Sequence, residues 1–199
     1  MVEQHSTLRD QRRAETQRVI QRHAVRLFTE RGYDATTVAD VASAAGVSPM
    51  TVYRHFPTKE DLVLADRHGP LVASRIAASD AAQPLVRRIG GALVDSVRTL
   101  TDDGEDTRFL LARLQLMITT PALRAKHLDN NYVLQQAIVG ALVDENTDAD
   151  LDFRAQAAAS ACLAAMHTAL VRWAADDGRS SLPVLIAQAL AAAFGDAQL

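Results

Sequence analysis

The chain has 199 residues, a formal net charge of -3 and a composition that is 48% hydrophobic but only 5% aromatic. This composition excludes an intrinsically disordered protein, and its high alanine content favours helices. The single cysteine excludes an intramolecular disulfide, the N-terminus lacks a signal-peptide core, and no run of apolar residues is long enough to span a membrane. We therefore expect a cytoplasmic protein without a membrane partner.

Positive charge is concentrated near the N-terminus. Residues 1–68 hold ten Lys/Arg and nine Asp/Glu, a balance of +1, whereas residues 69–199 hold eleven and fifteen, a balance of -4. Arginines at positions 9, 12, 13, 18 and 22 precede the first helical stretch or lie along it. Two interpretations stay open for them, a solvated helix face and an electrostatic contact with nucleic acid.

Two helices are predicted in the first 45 residues. The first ends at Gly32, since glycine suits the left-handed conformation that terminates helices. The second begins at Thr37, whose side-chain oxygen can accept an early amide while Asp40 occupies the positive first turn, and it ends before Gly46. Apolar spacing predicts the buried stripe of the first helix as Val19, Ile20, His23, Ala24, Leu27 and Phe28.

A third short helix follows directly. Ser48 is a good N-cap, Pro49 suits the first helical position, and Pro57 requires the helix to end near Phe56. Thr58 then pairs with Asp61 to cap a further helix, which is predicted to run to about Gly69 or beyond. Short capped helices joined by a glycine turn are typical of a helix-turn-helix.

The third helix offers a face suited to reading base edges. The residues on this face carry hydroxyl, methyl or planar donor groups, whereas Val47 and Val52 have the spacing to face inward. The exposed candidates are Ser48, Met50, Thr51, Tyr53, Arg54 and His55. The alternative is an ordinary helix hairpin with an incidental polar face.

Residues 18–64 resemble the DNA-binding domain of TetR-family transcriptional regulators. The resemblance is carried by AVRLFTERGYDATTVADVASAAGVSPMTVYRHFPTKEDL, which includes the entry to the second helix, the turn and the exit from the third helix. It implies an all-α fold with an N-terminal three-helix bundle over residues 1–66. It also implies a larger helical domain over residues 67–199 for ligand binding and dimerisation.

The resemblance implies a role for individual residues. Thr37, Tyr53, His55 and Lys59 would contact phosphates, which sets the register on DNA without reading its sequence. Ser48, Met50 and Thr51 would read bases. Arg54 would either read a base or contact a phosphate. Arg12 and Arg13 would enter a minor groove or stay solvated.

Periodicity predicts further helices beyond residue 69. Gly69 and Pro70 permit a kink, Pro84 opens a helix that ends near Thr101, and the TDDGED segment is predicted as a loop. Helices then run over residues 107–118, from Pro121, from after Asp150, and from near Ser181. The last two are rich in alanine, so their apolar face predicts either a homodimer interface or close intramolecular packing. A homodimer would match a pseudo-palindromic double-stranded operator.

An effector pocket is expected between the middle helices, because similar regulators respond to a small molecule there. Such pockets are apolar with a few polar anchors, and core packing is the alternative for every candidate. The candidates are Phe109, Arg113, Leu114, Met117, Tyr132, Gln136, Met166, His167 and Trp173. The effector itself is not identified by the sequence, beyond being small and apolar or amphipathic.

Other functional classes find little support in the sequence. We find no nucleophile with a neighbouring base, no phosphate loop and no histidine pair at metal-ligand spacing, so neither an enzyme, a metal site nor a cofactor is expected. The alternative function is a helical protein-binding module that no longer reads DNA. The sequence therefore favours a DNA-binding regulator, and the family resemblance implies that it is a repressor.

Overall fold

The structure is a computed structural model that describes residues 2–65, 68–101, 104–143 and 148–195, without the side chains of residues 2–7, 68 and 105. Within these ranges all regular structure is helical, which confirms the predicted all-α fold. The helices are α1 (Val2–Arg31), α2 (Val38–Ala44), α3 (Pro49–His55), α4 (Asp61–Leu64), α5 (His68–Ala77), α6 (Leu85–Thr101), α7 (Gly104–Thr119), α8 (Pro121–Leu142), α9 (Ala149–Ala175) and α10 (Leu182–Phe194). No helix in the described ranges is long and apolar enough to cross a bilayer.

The chain folds as two compact units. One contains Met1–Ala65 and Leu116–Arg124, and the other contains Asp66–Gln115 and Ala125–Leu199. The sequence prediction divided the chain once, between residues 66 and 67, whereas the first unit also takes in the segment around the α7–α8 junction.

The first unit is built around α1. This helix packs on α2 and α4, and α2 packs on α3. Burying the apolar side chains at this junction removes them from water, which is the main stabilising contribution to so small a unit. The side chains that are almost fully buried are Ile20, Ala24, Leu27, Phe28, Val41, Ala42, Val52, Phe56, Leu62 and Val63.

The second unit is organised by α6, α9 and α10. All three pack against one another, and α5 packs on α6. Small buried side chains on α9, including Ala155, Ala159 and Cys162, let the neighbouring helix axes approach closely. Trp173 fills the space near the end of α9, where its indole N–H donates to the Ser180 carbonyl at 2.8 Å.

Several sequence predictions need correction. Val19 is exposed and His23 is only partly buried, so the buried stripe of α1 is narrower than expected. The helix predicted from Thr58 to beyond Gly69 is interrupted, because Ala65 has a ψ of 111°. Gly69 and Pro70 instead lie within α5.

Two other helices begin earlier than predicted. In the predicted TDDGED loop, residues 104–106 belong to α7, and residues 102 and 103 lie outside the described ranges. Acidic side chains in this first turn favour the positive end of a helix. In addition, α9 begins at Ala149 because the Asp148 carboxylate accepts the Leu151 amide at 2.9 Å.

Candidate DNA-binding site

Reciprocal capping bonds hold the start of α2. The Thr37 amide donates to the Asp40 carboxylate at 2.8 Å, and the Asp40 amide donates to the Thr37 hydroxyl oxygen at 3.2 Å. The Thr37 hydroxyl donates its proton to the same carboxylate at 2.5 Å. These bonds hold the pKa of the Asp40 carboxyl below its usual value. Since the Thr37 hydroxyl proton is engaged, a phosphate at this end of α2 would be bound by backbone amides.

The turn between α2 and α3 is a Schellman motif. The Val47 amide donates to the Ala42 carbonyl at 3.0 Å, and the Gly46 amide donates to the Ser43 carbonyl at 3.2 Å. Gly46 has a φ of 67°, a conformation in which a side chain would be strained. The glycine therefore permits the tight reversal that orients α3 relative to α2, as the sequence predicted.

α3 is capped and anchored on one side only. The Ser48 hydroxyl accepts the Thr51 amide at 3.1 Å and lies 2.9 Å from the Thr51 hydroxyl. Val52 is completely buried, which fixes the inner face of the helix, while Val47 is only half-buried. The opposite face is open, with Met50 76% and Tyr53 49% exposed and with Arg54 exposed beside them. His55, at the end of α3, is half-buried.

Lys59 lies in a cradle formed by aromatic rings of the first unit. Its ammonium donates to the Tyr33 carbonyl at 2.6 Å and lies 4.2 Å from the centroid of the Tyr33 ring. The Phe28 ring is also near, with its centroid at 5.6 Å. An ammonium has three donors, so the Tyr33 carbonyl takes one of them. The cradle therefore restricts where Lys59 can place its charge just before α4.

Tyr33 also forms a hydrogen bond with Glu60, the residue that follows Lys59. The Tyr33 hydroxyl donates to the Glu60 carboxylate at 2.9 Å. Burial and this acidic partner together raise the pKa of Tyr33 well above its usual value. Burial alone would raise the pKa of Glu60, but hydrogen bonds from its own amide, Tyr33 and Thr58 outweigh burial and lower it. Sequence reasoning did not predict the role of Tyr33, because the interaction spans 27 positions.

The predicted effector-site residues lie on three helices. Phe109 and Arg113 lie one turn apart on α7, with the guanidinium 5.7 Å from the ring centroid. The Met117 side chain is buried in the segment that belongs to the first unit. On α8, Tyr132 is 64% exposed and Gln136 is also exposed. The other candidates, on α7 and α9, are Leu114 and Trp173, which are buried, and Met166 and His167, which are half-buried.

One cleft of about 390 Å³ lies in the second unit. Trp173 is the member of the predicted effector set that lines it. The other walls come from the end of α6, the first turns of α7, and the segment that leads into α10, and they include Arg98, Thr107 and Ser181. This cleft does not bring the other predicted effector residues together.

The sequence has no histidine pair at metal-ligand spacing, but the fold brings two distant histidines together. His127 Nε2 on α8 and His167 Nδ1 on α9 are 3.0 Å apart, although the residues are separated by 40 positions. Nothing in the local sequence indicates this contact, because it depends on how two helices pack. No group of three or more His, Cys, Asp and Glu side chains suited to a metal ion occurs in the part of the chain that the structure describes.

Comparisons with known proteins agree with the helix-turn-helix geometry. Residues 20–65 match the family model described as bacterial regulatory proteins of the tetR family, and residues 83–194 match the MftR C-terminal domain. The regulator TcmR of Streptomyces glaucescens is 29% identical over 74% of this chain and 68% of its own length. The repressor AcnR of Corynebacterium glutamicum is 32% identical over 58% of this chain, and the match spans 57% of AcnR.

Solved structures share the fold. FadR of Bacillus halodurans has a TM-score of 0.60 at 18% identity, covering 91% of this chain and 95% of FadR. NalD of Pseudomonas aeruginosa is the secondary repressor of a multidrug efflux pump. It has a TM-score of 0.56 at 20% identity, and the match covers 92% of this chain and 95% of NalD. FadR of Bacillus subtilis, solved with stearoyl-CoA, has a TM-score of 0.54 at 18% identity, and the match covers 89% of this chain and 97% of that FadR. The family resemblance read from the sequence is therefore confirmed, and the chain belongs to the TetR family of bacterial transcriptional regulators.

Proposed function

We propose that the protein is a sequence-specific repressor whose α3 enters the major groove of operator DNA. The supporting observation is the arrangement of α3, which is capped by Ser48, fixed by buried Val52 and open on the opposite face. Such a helix presents side chains to base edges from a rigid support. The repressing mode is supported by the match to the repressor AcnR.

Within this site, base readout and phosphate contact fall to different residues. Met50 is the most exposed apolar side chain of α3 and suits contact with a thymine methyl group. The hydroxyl groups of Ser48 and Thr51 are hydrogen-bonded to each other. We assign base contacts to their oxygen atoms and to the Thr51 methyl group. Arg54 is assigned either a guanine edge or a phosphate.

Phosphate contacts are assigned to the edges of the site. Tyr53 and His55 occupy α3 itself, and the amides at the start of α2 beside Thr37 supply a further contact. Lys59 contributes from its cradle on the Tyr33 ring, using the ammonium donors that face away from the Tyr33 carbonyl. These contacts fix the register of the protein on DNA but carry no sequence information.

Fluorescence anisotropy with DNA from upstream of the protein's own gene tests this proposal. We expect tight binding that weakens steeply with salt, because phosphate contacts release counterions. Tyr53→Ala should weaken binding to every sequence and leave the salt slope nearly unchanged, because a neutral hydroxyl group releases no counterion from a phosphate. Met50→Ala should instead relax the preference at one position of the site. Leu128→Ala changes an exposed side chain on α8 that lies outside both proposed sites and is the control.

If the operator does not lie upstream of the protein's own gene, selection from random DNA sequences identifies it. Enrichment of a pseudo-palindromic sequence would support the proposal. Weak, unselective binding that is the same for wild type and Tyr53→Ala would contradict it and favour the protein-binding alternative.

We also propose that two chains associate through α9 and α10. The outward face of α9 carries exposed Ala157, Ala161 and Ala164. Phe153, near the start of the same helix, is 69% exposed. α10, which packs along α9, adds exposed Val184. Exposed apolar surface of this kind on two packed helices is typical of a subunit interface. A homodimer would place two reading helices on a pseudo-palindromic operator.

Light scattering tests the dimer directly. Ala161→Arg places a long charged side chain in the middle of this face and should convert a dimer into monomers at micromolar concentration. Ala77→Arg changes an exposed alanine at the end of α5 and serves as the control. A wild-type protein that is monomeric, or an Ala161→Arg variant that stays dimeric, would refute the interface.

Residues 1–66 are proposed as the DNA-binding domain and residues 67–199 as the domain for effector binding and dimerisation. The effector is proposed to be a small apolar or amphipathic molecule that binds in the second unit, where the predicted contact residues are Phe109, Arg113, Tyr132, Gln136, Met166, His167 and Trp173. Arg113 beside the Phe109 ring supplies a cation for an acidic or polar end of such a molecule. To release DNA, the effector must bind the DNA-free conformation more tightly than the DNA-bound one.

A ligand panel in the same anisotropy assay tests effector release. Stearoyl-CoA belongs in the panel because FadR of Bacillus subtilis was solved with it. Operator release by a panel member should be weakened in Arg113→Ala and unchanged in Arg154→Ala, an exposed arginine on α9. A ligand that binds without changing operator affinity would contradict the release mechanism.

A further inference from the structure

A polar cluster joins α8 to α9 inside the second unit. His127 and Asn131 lie one turn apart on α8, and His127 contacts both Asn131 and His167 on α9. His127 Nε2 is 3.0 Å from His167 Nδ1 and 3.3 Å from the Asn131 side-chain nitrogen. All three residues are half-buried, so they are shielded by neighbours and still accessible to a small solute.

The spacing of these atoms matches that of ligands around one metal ion. With metal–nitrogen bonds of about 2.0–2.1 Å, two ligand atoms are about 2.9 Å apart at a right angle and about 3.3 Å apart in a tetrahedron. The separation of the two imidazole nitrogens, 3.0 Å, falls between these values. To direct both nitrogens at a shared ion, each ring must turn by roughly 40° away from the line that joins the two nitrogens.

The chemistry of the donors indicates which ion would bind. Neutral imidazole nitrogens prefer Zn²⁺, Ni²⁺ or Cu²⁺, whereas Ca²⁺ and Mg²⁺ require oxygen ligands. The side-chain amide of Asn131 offers a third ligand, because a half-turn of the amide exchanges its nitrogen for its oxygen. We propose that His127, His167 and Asn131 form a binding site for a divalent transition metal ion such as Zn²⁺.

Binding has a clear consequence for the second unit. The ion would replace one hydrogen bond between imidazoles with two coordination bonds, while the donor ring moves its proton to its other nitrogen, and so the ion would tie α8 to α9. The site supplies three neutral ligands, so water or an added ligand would complete the coordination. Since no charged ligand is included, the ion should exchange readily with solution rather than remain bound during purification.

Metal titration of the full chain without an affinity tag tests the site. Competition for Zn²⁺ against a chromophoric chelator should show one ion per chain. His127→Ala and His167→Ala should each weaken binding by roughly tenfold or more, and Asn131→Ala should weaken it less. His23→Ala removes a histidine from α1 and should bind as the wild type does. Equal affinity in wild type, His127→Ala and His167→Ala would overturn the proposal.

A second measurement on the wild type does not depend on variants that fold well. Nitrogen-15 NMR of the histidine rings should show Zn²⁺ shifting the signals of Nε2 in His127 and Nδ1 in His167, with His23 unchanged. Shifts confined to other histidines, or no shift at a hundredfold excess of Zn²⁺, would refute the site. Since neither assay contains DNA, failure here leaves the proposed operator binding untouched, and the reverse also holds.

Discussion

Replacing Tyr33 with phenylalanine tests the cradle that holds Lys59. The change removes the hydroxyl that donates to Glu60 at 2.9 Å. It keeps the ring that lies under the Lys59 ammonium and packs 5.0 Å from the Phe28 ring. The carbonyl that accepts from Lys59 belongs to the backbone and is also kept. Tyr33→Phe therefore isolates one hydrogen bond from the rest of the cradle.

The expected cost follows from the charge and exposure of the two partners. A hydrogen bond to a charged group contributes about 1.5–3 kcal/mol. Glu60 is partly solvent-exposed, and solvent screening reduces such contributions. We therefore expect Tyr33→Phe to lower the free energy of unfolding by about 1 kcal/mol at pH 7, which corresponds to a decrease in Tm of about 2–4 °C.

The pKa shifts of Glu60 and Tyr33 determine how the stability cost of Tyr33→Phe changes with pH. The pKa of Glu60 is lowered in the folded state, so its stabilising contribution is present above the unfolded pKa of about 4.3 and is lost as the pH falls through the folded pKa. The pKa of Tyr33 is raised, so its contribution is complete below about pH 10 and is lost as the pH rises through the folded pKa. The cost of Tyr33→Phe should therefore be largest near neutral pH.

Urea titration monitored by circular dichroism, at neutral pH and at pH 3, measures these differences. Tyr132→Phe changes an exposed tyrosine and should leave stability unchanged. DNA affinity should also be unchanged in Tyr33→Phe, since the ring and carbonyl that position Lys59 are retained. A variant as stable as the wild type at pH 7, or one whose loss is the same at both pH values, would refute the assigned hydrogen bond.

Two further predictions concern α9. Burial raises the pKa of the Cys162 thiol to about 12, so roughly one thiol in 10⁴ is ionised at pH 8. Iodoacetamide should label it only after urea unfolds the protein, and rapid labelling of the native state would contradict its buried position. Asp148→Ala removes the cap from α9 and should cost about 1 kcal/mol in a urea titration. Asp148→Asn should recover most of this loss, and equal losses in both variants would argue against a capping hydrogen bond.

The helix-turn-helix was predictable because its signals are local. The Thr37 and Ser48 caps each bond a residue three positions away, and the Gly46 turn closes within six residues. Such interactions form within one or two turns of chain, so residue type and spacing are sufficient to predict them. The family resemblance rests on the same local features, which explains why it was correct.

The ends of several helices were harder to predict. Ala65 has high helix propensity, yet its backbone leaves the helical region after α4. The Asp148 carboxylate moves the start of α9 by two residues from the predicted position, although Asp150 is an equally good cap by type. Tertiary packing overrides a weak local preference in the first case and selects between similar caps in the second.

The sequence by itself determined the all-α fold, the helix-turn-helix and the open face of α3 with Met50, Tyr53 and Arg54, since each follows from hydrophobic spacing and short-range capping. Only the tertiary structure decided that Tyr33 holds Lys59 and Glu60, and that His127 meets His167. These contacts join residues 26 to 40 positions apart. Their existence depends on which helix faces pack together, and that choice is made by the burial of the whole apolar core rather than by any local pattern.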